Sequence, residues 1–244
     1  MTASATTILA HLGAVAAERN ARRSDAALGR RVQQLKAYQQ ARFARTHGDM
    51  LAHTRYGAAA QFFLDDLYGP SDFADRDAQF ARIVPAITRM FPQEIVQTVD
   101  ALGELHALSE QLDSRMASLL PDAAWGRVEY LRAWQATANP EERQHQLELV
   151  LTLGRRLDHF TRNRLLRQSL RMMRGPARAA GLAALQAFLE RGFDTFAAMK
   201  GAGPFLDEVR SREQAAIRRF FAPDAVAAAT ASVLNVGDPI GQLP

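Results

Sequence analysis

Residues 93–120 read QEIVQTVDALGELHALSEQLDSRMASLL. Leu102, Leu105, Leu108, Leu112, Met116 and Leu119 recur there at three- and four-residue spacing. At 100° per residue these positions fall on one arc, so the stretch is an amphipathic helix rather than a strand. The same period extends in both directions from it. Alternating runs of β-branched residues are missing, and alanine, leucine, glutamine, glutamate and arginine dominate.

Toward the N-terminus, Phe91-Pro92 closes a segment that starts near Asp72 and contains Pro85. Proline lacks a backbone donor, so Pro85 is expected to kink or break that helix. Gly69-Pro70-Ser71-Asp72 is a turn followed by a cap. Before it, residues 49–68 carry Tyr56, Ala60, Phe63 and Leu67 on one face, widened by Phe62 and Tyr68. His47-Gly48-Asp49 ends a helix with Leu28, Val32 and Leu35 in register, for which Ser24-Asp25 offers an N-cap. A first segment shows Ile8, Leu12 and Val15.

Toward the C-terminus, Pro121-Asp122 restarts the chain into a short helix with Trp125, Val128, Leu131 and Trp134. Asn139-Pro140-Glu141-Glu142 supplies a cap, a first-turn proline and two acids. A long helix is expected from there to about Arg174, where Gly175-Pro176 breaks it. Leu182, Leu185, Leu189, Phe193, Phe196 and Met199 mark the next helix. After Gly201-Ala202-Gly203-Pro204 comes one with Leu206, Val209, Ile217 and Phe220. The expectation is an all-α, single-domain bundle of eight to nine helices with short connections. The expected division is a helical arm over residues 1–47, either separable or packed on the main body, the bundle over 48–234 and a loose tail over 235–244. The expected core includes Phe63, Leu67, Leu105, Leu112, Leu165, Met172, Leu189, Phe193 and Phe196.

Composition bounds the rest. The 244 residues are 48% apolar and 23% charged, a globular balance. Without cysteine there is no disulfide framework, thiolate metal site or cysteine nucleophile. Lys36 and Lys200 are the only lysines among 30 basic residues, so 28 are arginines. No apolar run reaches the roughly 18 residues of a membrane span, and the N-terminus lacks the basic region of a signal peptide. These features lead us to expect a cytoplasmic location. No nucleotide fingerprint or nucleophile elbow is present, and no cofactor is expected.

Three constellations carry what chemistry there is. Arg164, Arg167, Arg171, Arg174 and Arg178 share an arc of roughly 80° on a helix, with Leu165, Leu166, Met172 and Met173 opposite. Asp158 is the only acid between residues 155 and 178. Such a stripe suits an acidic protein partner, and nucleic acid less well because no aromatic platform is interleaved with it. The plainer reading is a solvated face that pairs with acids on a neighbouring helix. His106, Glu110 and Asp113 stand at i, i+4 and i+7 and are weak metal-ligand candidates. Glu142-x-x-His145 is half of a di-iron pattern whose other half is missing. Tyr56, Phe62, Asp66, Tyr68 and Trp134 are candidates to line a ligand pocket, which an entering arginine would complete. Asp65, Asp66 or Asp75 are candidates to receive the arginine stripe within the molecule.

The run Thr54-Arg55-Tyr56-Gly57 through Phe62-Phe63-Leu64-Asp65-Asp66-Leu67-Tyr68-Gly69-Pro70-Ser71-Asp72-Phe73 to Arg76-Asp77 resembles a family of uncharacterised proteobacterial helical proteins. Arg162-Asn163-Arg164-Leu165-Leu166-Arg167 and Phe188-Leu189-Glu190-Arg191-Gly192-Phe193 fit the same family. The resemblance implies a bacterial, cytoplasmic, all-helical protein and transfers no catalytic residue. The leading expectation is a non-enzymatic interaction or regulatory protein that meets an acidic partner through the arginine face. A binder of a small apolar or anionic ligand between helices comes next, then a metal-dependent enzyme. A homo-oligomer stays open.

Overall fold

A computed structural model of the chain describes residues 3–67 and 74–233, the side chains of 66, 67, 74, 232 and 233 excepted. The Gly69–Asp72 turn, Tyr68, the side chains of Asp66 and Leu67 and the 235–244 tail therefore lie outside the described residues. The described residues form thirteen α-helices, one π-helical turn and no strand. The helices are α1 (Ala5–Ser24), α2 (Ala26–Thr46), α3 (Gly48–Leu51), α4 (Gly57–Phe62), α5 (Ala74–Met90), α6 (Gln93–Ser118) and α7 (Arg127–Thr137). They continue as α8 (Pro140–Thr161), α9 (Arg164–Met172), α10 (Arg174–Ala179), α11 (Ala183–Ala198), α12 (Gly203–Phe220) and α13 (Ala225–Val233). The π-helical turn, Phe63–Leu67, continues α4.

Thirteen exceeds the expected eight to nine because two stretches divide further and α13 follows α12 as a helix of its own. The 49–68 segment splits at 52–56 into α3 and α4. The helix expected to run from Pro140 to Arg174 stops at Thr161. There Asn163 leaves the helix and its Oδ1 accepts from the N–H groups of Leu165 and Leu166, starting α9. A second break falls at Met173, ahead of Gly175-Pro176, which lies inside α10. Pro85 does not break α5, which runs through it. Caps read from sequence are in place: Asp25 accepts from Leu28 N–H and Asn139 from Glu142 N–H.

The buried helix α6 organises the fold. Thr7 bonds Asp100 and Arg22 bonds Ser114, so α1 runs parallel to α6. Arg31 reaches the Ala117 carbonyl while Lys36 reaches Glu110, so α2 runs antiparallel. Pairs Arg115–Glu142, Gln146–Ser109 and His159–Glu94 place α8 antiparallel on another side. On its far side α8 packs against α11 and α12. At one crossing α8 comes so near α12 that a Cβ on Gly154 would stand 2.6 Å from a Leu206 methyl. The core joins Phe63, Phe196 and Phe205 to Leu105, Met116, Leu151 and Phe220. Phe193 and Leu112 are also buried.

Three expected core residues are not there. Leu165 is 73% exposed, Met172 78% and Leu189 40%. Met173, placed on the same apolar side, is 50% exposed. Leu119, read on the apolar arc of α6, is likewise exposed where that helix ends.

Candidate functional site

Leu165, Met172 and Met173 belong to or directly follow α9. On α9 Leu165 and Met172 face outward, Leu166 and Leu170 are half-buried, and part of the basic side faces the protein. Its inward edge meets α11, which runs antiparallel to it. Arg167 donates to Asp194 Oδ1 through Nε at 3.1 Å and Nη2 at 2.6 Å. Just beyond α9, Arg174 Nε meets both Glu190 oxygens at 2.7 and 2.8 Å. The Arg174 hydrogen bond holds the Glu190 carboxyl below its ordinary range. Gln186 crosses between the helices, donating to the Leu170 carbonyl and to Glu190. Charge-assisted pairs with two contacts each constrain orientation as well as proximity. They pin α9 with Leu165, Met172 and Met173 turned to solvent.

Of the five stripe arginines, Arg167 and Arg174 are paired with α11. Arg171 stands 3.8 Å from Asp194 and is half-exposed. Arg164 and Arg178 are exposed and meet no carboxylate among the described residues. The plainer reading of the stripe thus holds for part of it. The acids come from α11 and not from Asp65 or Asp75. Asp65 accepts from Gln61 and Asp75 is exposed. A signal for this lay in the sequence. Glu190 and Asp194 are spaced i, i+4, and only a short helix separates α11 from α9.

The metal candidates are partly brought together, but cations occupy them. Glu110 is buried and bonded by Arg22 Nη1 and by Lys36 Nζ at 2.8 Å, with Arg19 at 3.6 Å. His106 Nε2 lies 3.4 Å from it. Burial alone would raise the Glu110 carboxyl. The His106 bond, Lys36 and Arg22 outweigh it and hold the group far below the carboxylate range. Asp113 instead sits in a dry spot, and burial pushes its carboxyl up. No three His, Asp or Glu side chains are grouped to hold a metal among the described residues. His145 pairs with Glu104, while Glu142 bonds Arg115.

The pocket candidates are used in separate aromatic clusters. Tyr56 packs on His53 and Phe205, and Phe62 stacks on Phe188. Trp134 stands in a third cluster with Tyr130 and Phe220, and the Arg143 guanidinium lies 3.8 Å over its ring. An arginine does enter beside Trp134, but Tyr56 and Phe62 are not there. Tyr130 and Tyr38 have ring centroids 4.7 Å apart, and both hydroxyls are buried without a hydrogen-bond partner among the described residues. Burial raises both phenols. Nearby, Arg42 and His47 converge on buried Glu213. No sequence pattern joins these groups, which lie far apart in the chain.

The model of a domain of unknown function (DUF8198) matches residues 18–227. The chain belongs to the DUF8198 family. That span runs from within α1 to within α13, so the family model takes in nearly every element described above. No curated protein and no solved structure matches the chain. Among the described residues no helix is long and apolar enough to cross a membrane.

Proposed function

We propose that this DUF8198 protein is a non-enzymatic binding module whose α9–α10 face docks an acidic amphipathic helix of another protein. One observation carries the reading. Leu165, Met172 and Met173 are held outward by the ion pairs that fix the opposite edge of α9. A helix with its apolar side in water is unfavourable unless something covers it. Covering three such side chains contributes roughly 5–9 kcal/mol, while association costs a similar amount. The remainder must come from charge, supplied by exposed Arg164 and Arg178 and by Arg171, which Asp194 engages only at 3.8 Å.

Those guanidiniums also select the partner. A second copy docked isologously would set the same arginines against themselves. A lipid surface is better met by bulky aromatics, which the face lacks, whereas methionine suits an adaptable protein contact. A bacterial, cytoplasmic setting belongs to the same proposal.

The test is a photo-crosslinking residue placed at Met172 in the native host, beside one at exposed Arg132 on α7. The expected result is an adduct with an acidic helical segment from position 172 alone, lost when Arg164 and Arg171 become glutamate. No adduct beyond that from position 132, an adduct with lipid, or one indifferent to the charge reversal would each refute the proposal.

A further inference from the structure

A hollow of about 370 Å³ opens where the end of α8 meets the turn from α11 to α12. Asp158, Thr161, Arg162, Phe196, Lys200 and Gly201 line it. Its apolar side is formed by Phe196, which is itself buried, and by half-buried Ala197. The polar groups divide into those already engaged and those left over. Asp158 is engaged: Oδ1 accepts from Ala202 N–H at 3.0 Å and Oδ2 from Arg162 Nη2 at 2.7 Å. The Thr161 hydroxyl donates to the Asp158 carbonyl. Left over are the Lys200 ammonium and the rest of the Arg162 guanidinium, neither of which has another acceptor among the described residues.

The turn that presents Lys200 is unusual. Lys200 has φ 51° and Gly201 φ 114°. Glycine takes such conformations freely and lysine does not. Lys200 is also one of two lysines in a chain with 28 arginines. Behind the turn, Arg55 collects three carbonyls: Met199 at 2.6 Å, Lys200 at 3.3 Å and Gly201 at 3.0 Å. The strained backbone is thereby fixed from outside, and the hollow side of the turn is preorganised. Strain held in place by surrounding structure is typical of binding sites.

We infer that this hollow binds a small organic monocarboxylate. Its carboxylate sits between Lys200 and Arg162, and its hydrocarbon part lies on Phe196. The two cations and the Asp158 carboxylate leave one positive charge, which matches a monoanion. A phosphate dianion would exceed that charge, meet repulsion from Asp158 and leave the apolar side uncovered. The site is independent of the α9 docking face and does not rest on that proposal.

The test is an amide NMR titration of the full chain at constant ionic strength, with butyrate and separately with inorganic phosphate. Butyrate is expected to give saturable shifts at Gly201 and Ala202, while phosphate gives weaker ones. Lys200→Gln and Arg162→Gln should each weaken butyrate about tenfold, the loss of a charge-assisted hydrogen bond. Lys200→Gly separates binding from folding. It relieves the backbone, so the variant should melt no lower than wild type and still lose the butyrate response. Shifts that never saturate, phosphate binding as tightly as butyrate, or full binding by Lys200→Gly would overturn the inference.

Discussion

Glu213→Gln is expected to change how stability responds to acid, by an amount the geometry fixes. The Glu213 carboxylate takes Arg42 Nη1 at 3.0 Å and Nη2 at 2.8 Å, with His47 Nε2 at 3.0 Å. Burial alone would raise its carboxyl, but the Arg42 charge and the hydrogen bonds from His47 and Arg42 prevail and lower it from 4.5 to about 2. At about 1.4 kcal/mol per pH unit, a gap of about 2.5 units corresponds to roughly 3 kcal/mol. The sign follows from the depressed value. The stabilisation is complete above the unfolded carboxyl's titration and is lost as pH falls from about 5 toward 2. Glutamine carries no charge at any pH and leaves Arg42 buried without that carboxylate, at a cost of about 3–5 kcal/mol near neutrality. Urea unfolding of both proteins at several pH values between 7 and 2, followed by circular dichroism, measures the difference. It should shrink by roughly 3 kcal/mol across the acid range. Titration of Glu110 and the other carboxylates is common to both proteins and cancels. A difference that stays constant from pH 5 to pH 2 would show that the ion pair does not stabilise the fold as described.

Two further substitutions probe what the interior and surface do. Tyr130→Phe removes a buried hydroxyl that has no partner among the described residues, and should stabilise the protein by about 1 kcal/mol in urea unfolding. A loss of stability would mean that the hydroxyl is hydrogen-bonded. Leu165→Ser with Met172→Ser should leave the melting free energy within about 0.5 kcal/mol of wild type, as surface changes do. A loss of several kcal/mol would place these side chains in the core.

The same pair of residues marks the limit of what sequence conveys. Leu165 and Met172 do lie on one side of a helix and the arginines on the other, so the pattern was read correctly. Periodicity names two faces; it does not say which one turns inward. On α9 the basic edge pairs with Glu190 and Asp194 of α11, and of the apolar residues only Leu166 and Leu170 are half-buried. Along α6, Leu105, Leu112 and Met116 went inside as expected, Leu102 and Leu108 are half-buried, and Leu119 at its end is exposed. Caps were legible because Asp25 and Asn139 act on N–H groups three residues away. Arg42, Arg143 and Glu213 were not, because a buried charge is defined by partners that only folding brings near. Lys200 was invisible for another reason: its significance lies in a backbone angle.

Glu110 ties the first two helices to a single point. Arg19 and Arg22 arrive from α1 and Lys36 from α2, and all three converge on that one carboxylate of α6. Stripping either helix away would strand a buried negative charge with fewer counter-ions, so each helix raises the cost of losing the other. The N-terminal hairpin therefore detaches as one cooperative unit or stays. The arm that sequence left separable or packed is latched at its middle, and the latch is shared.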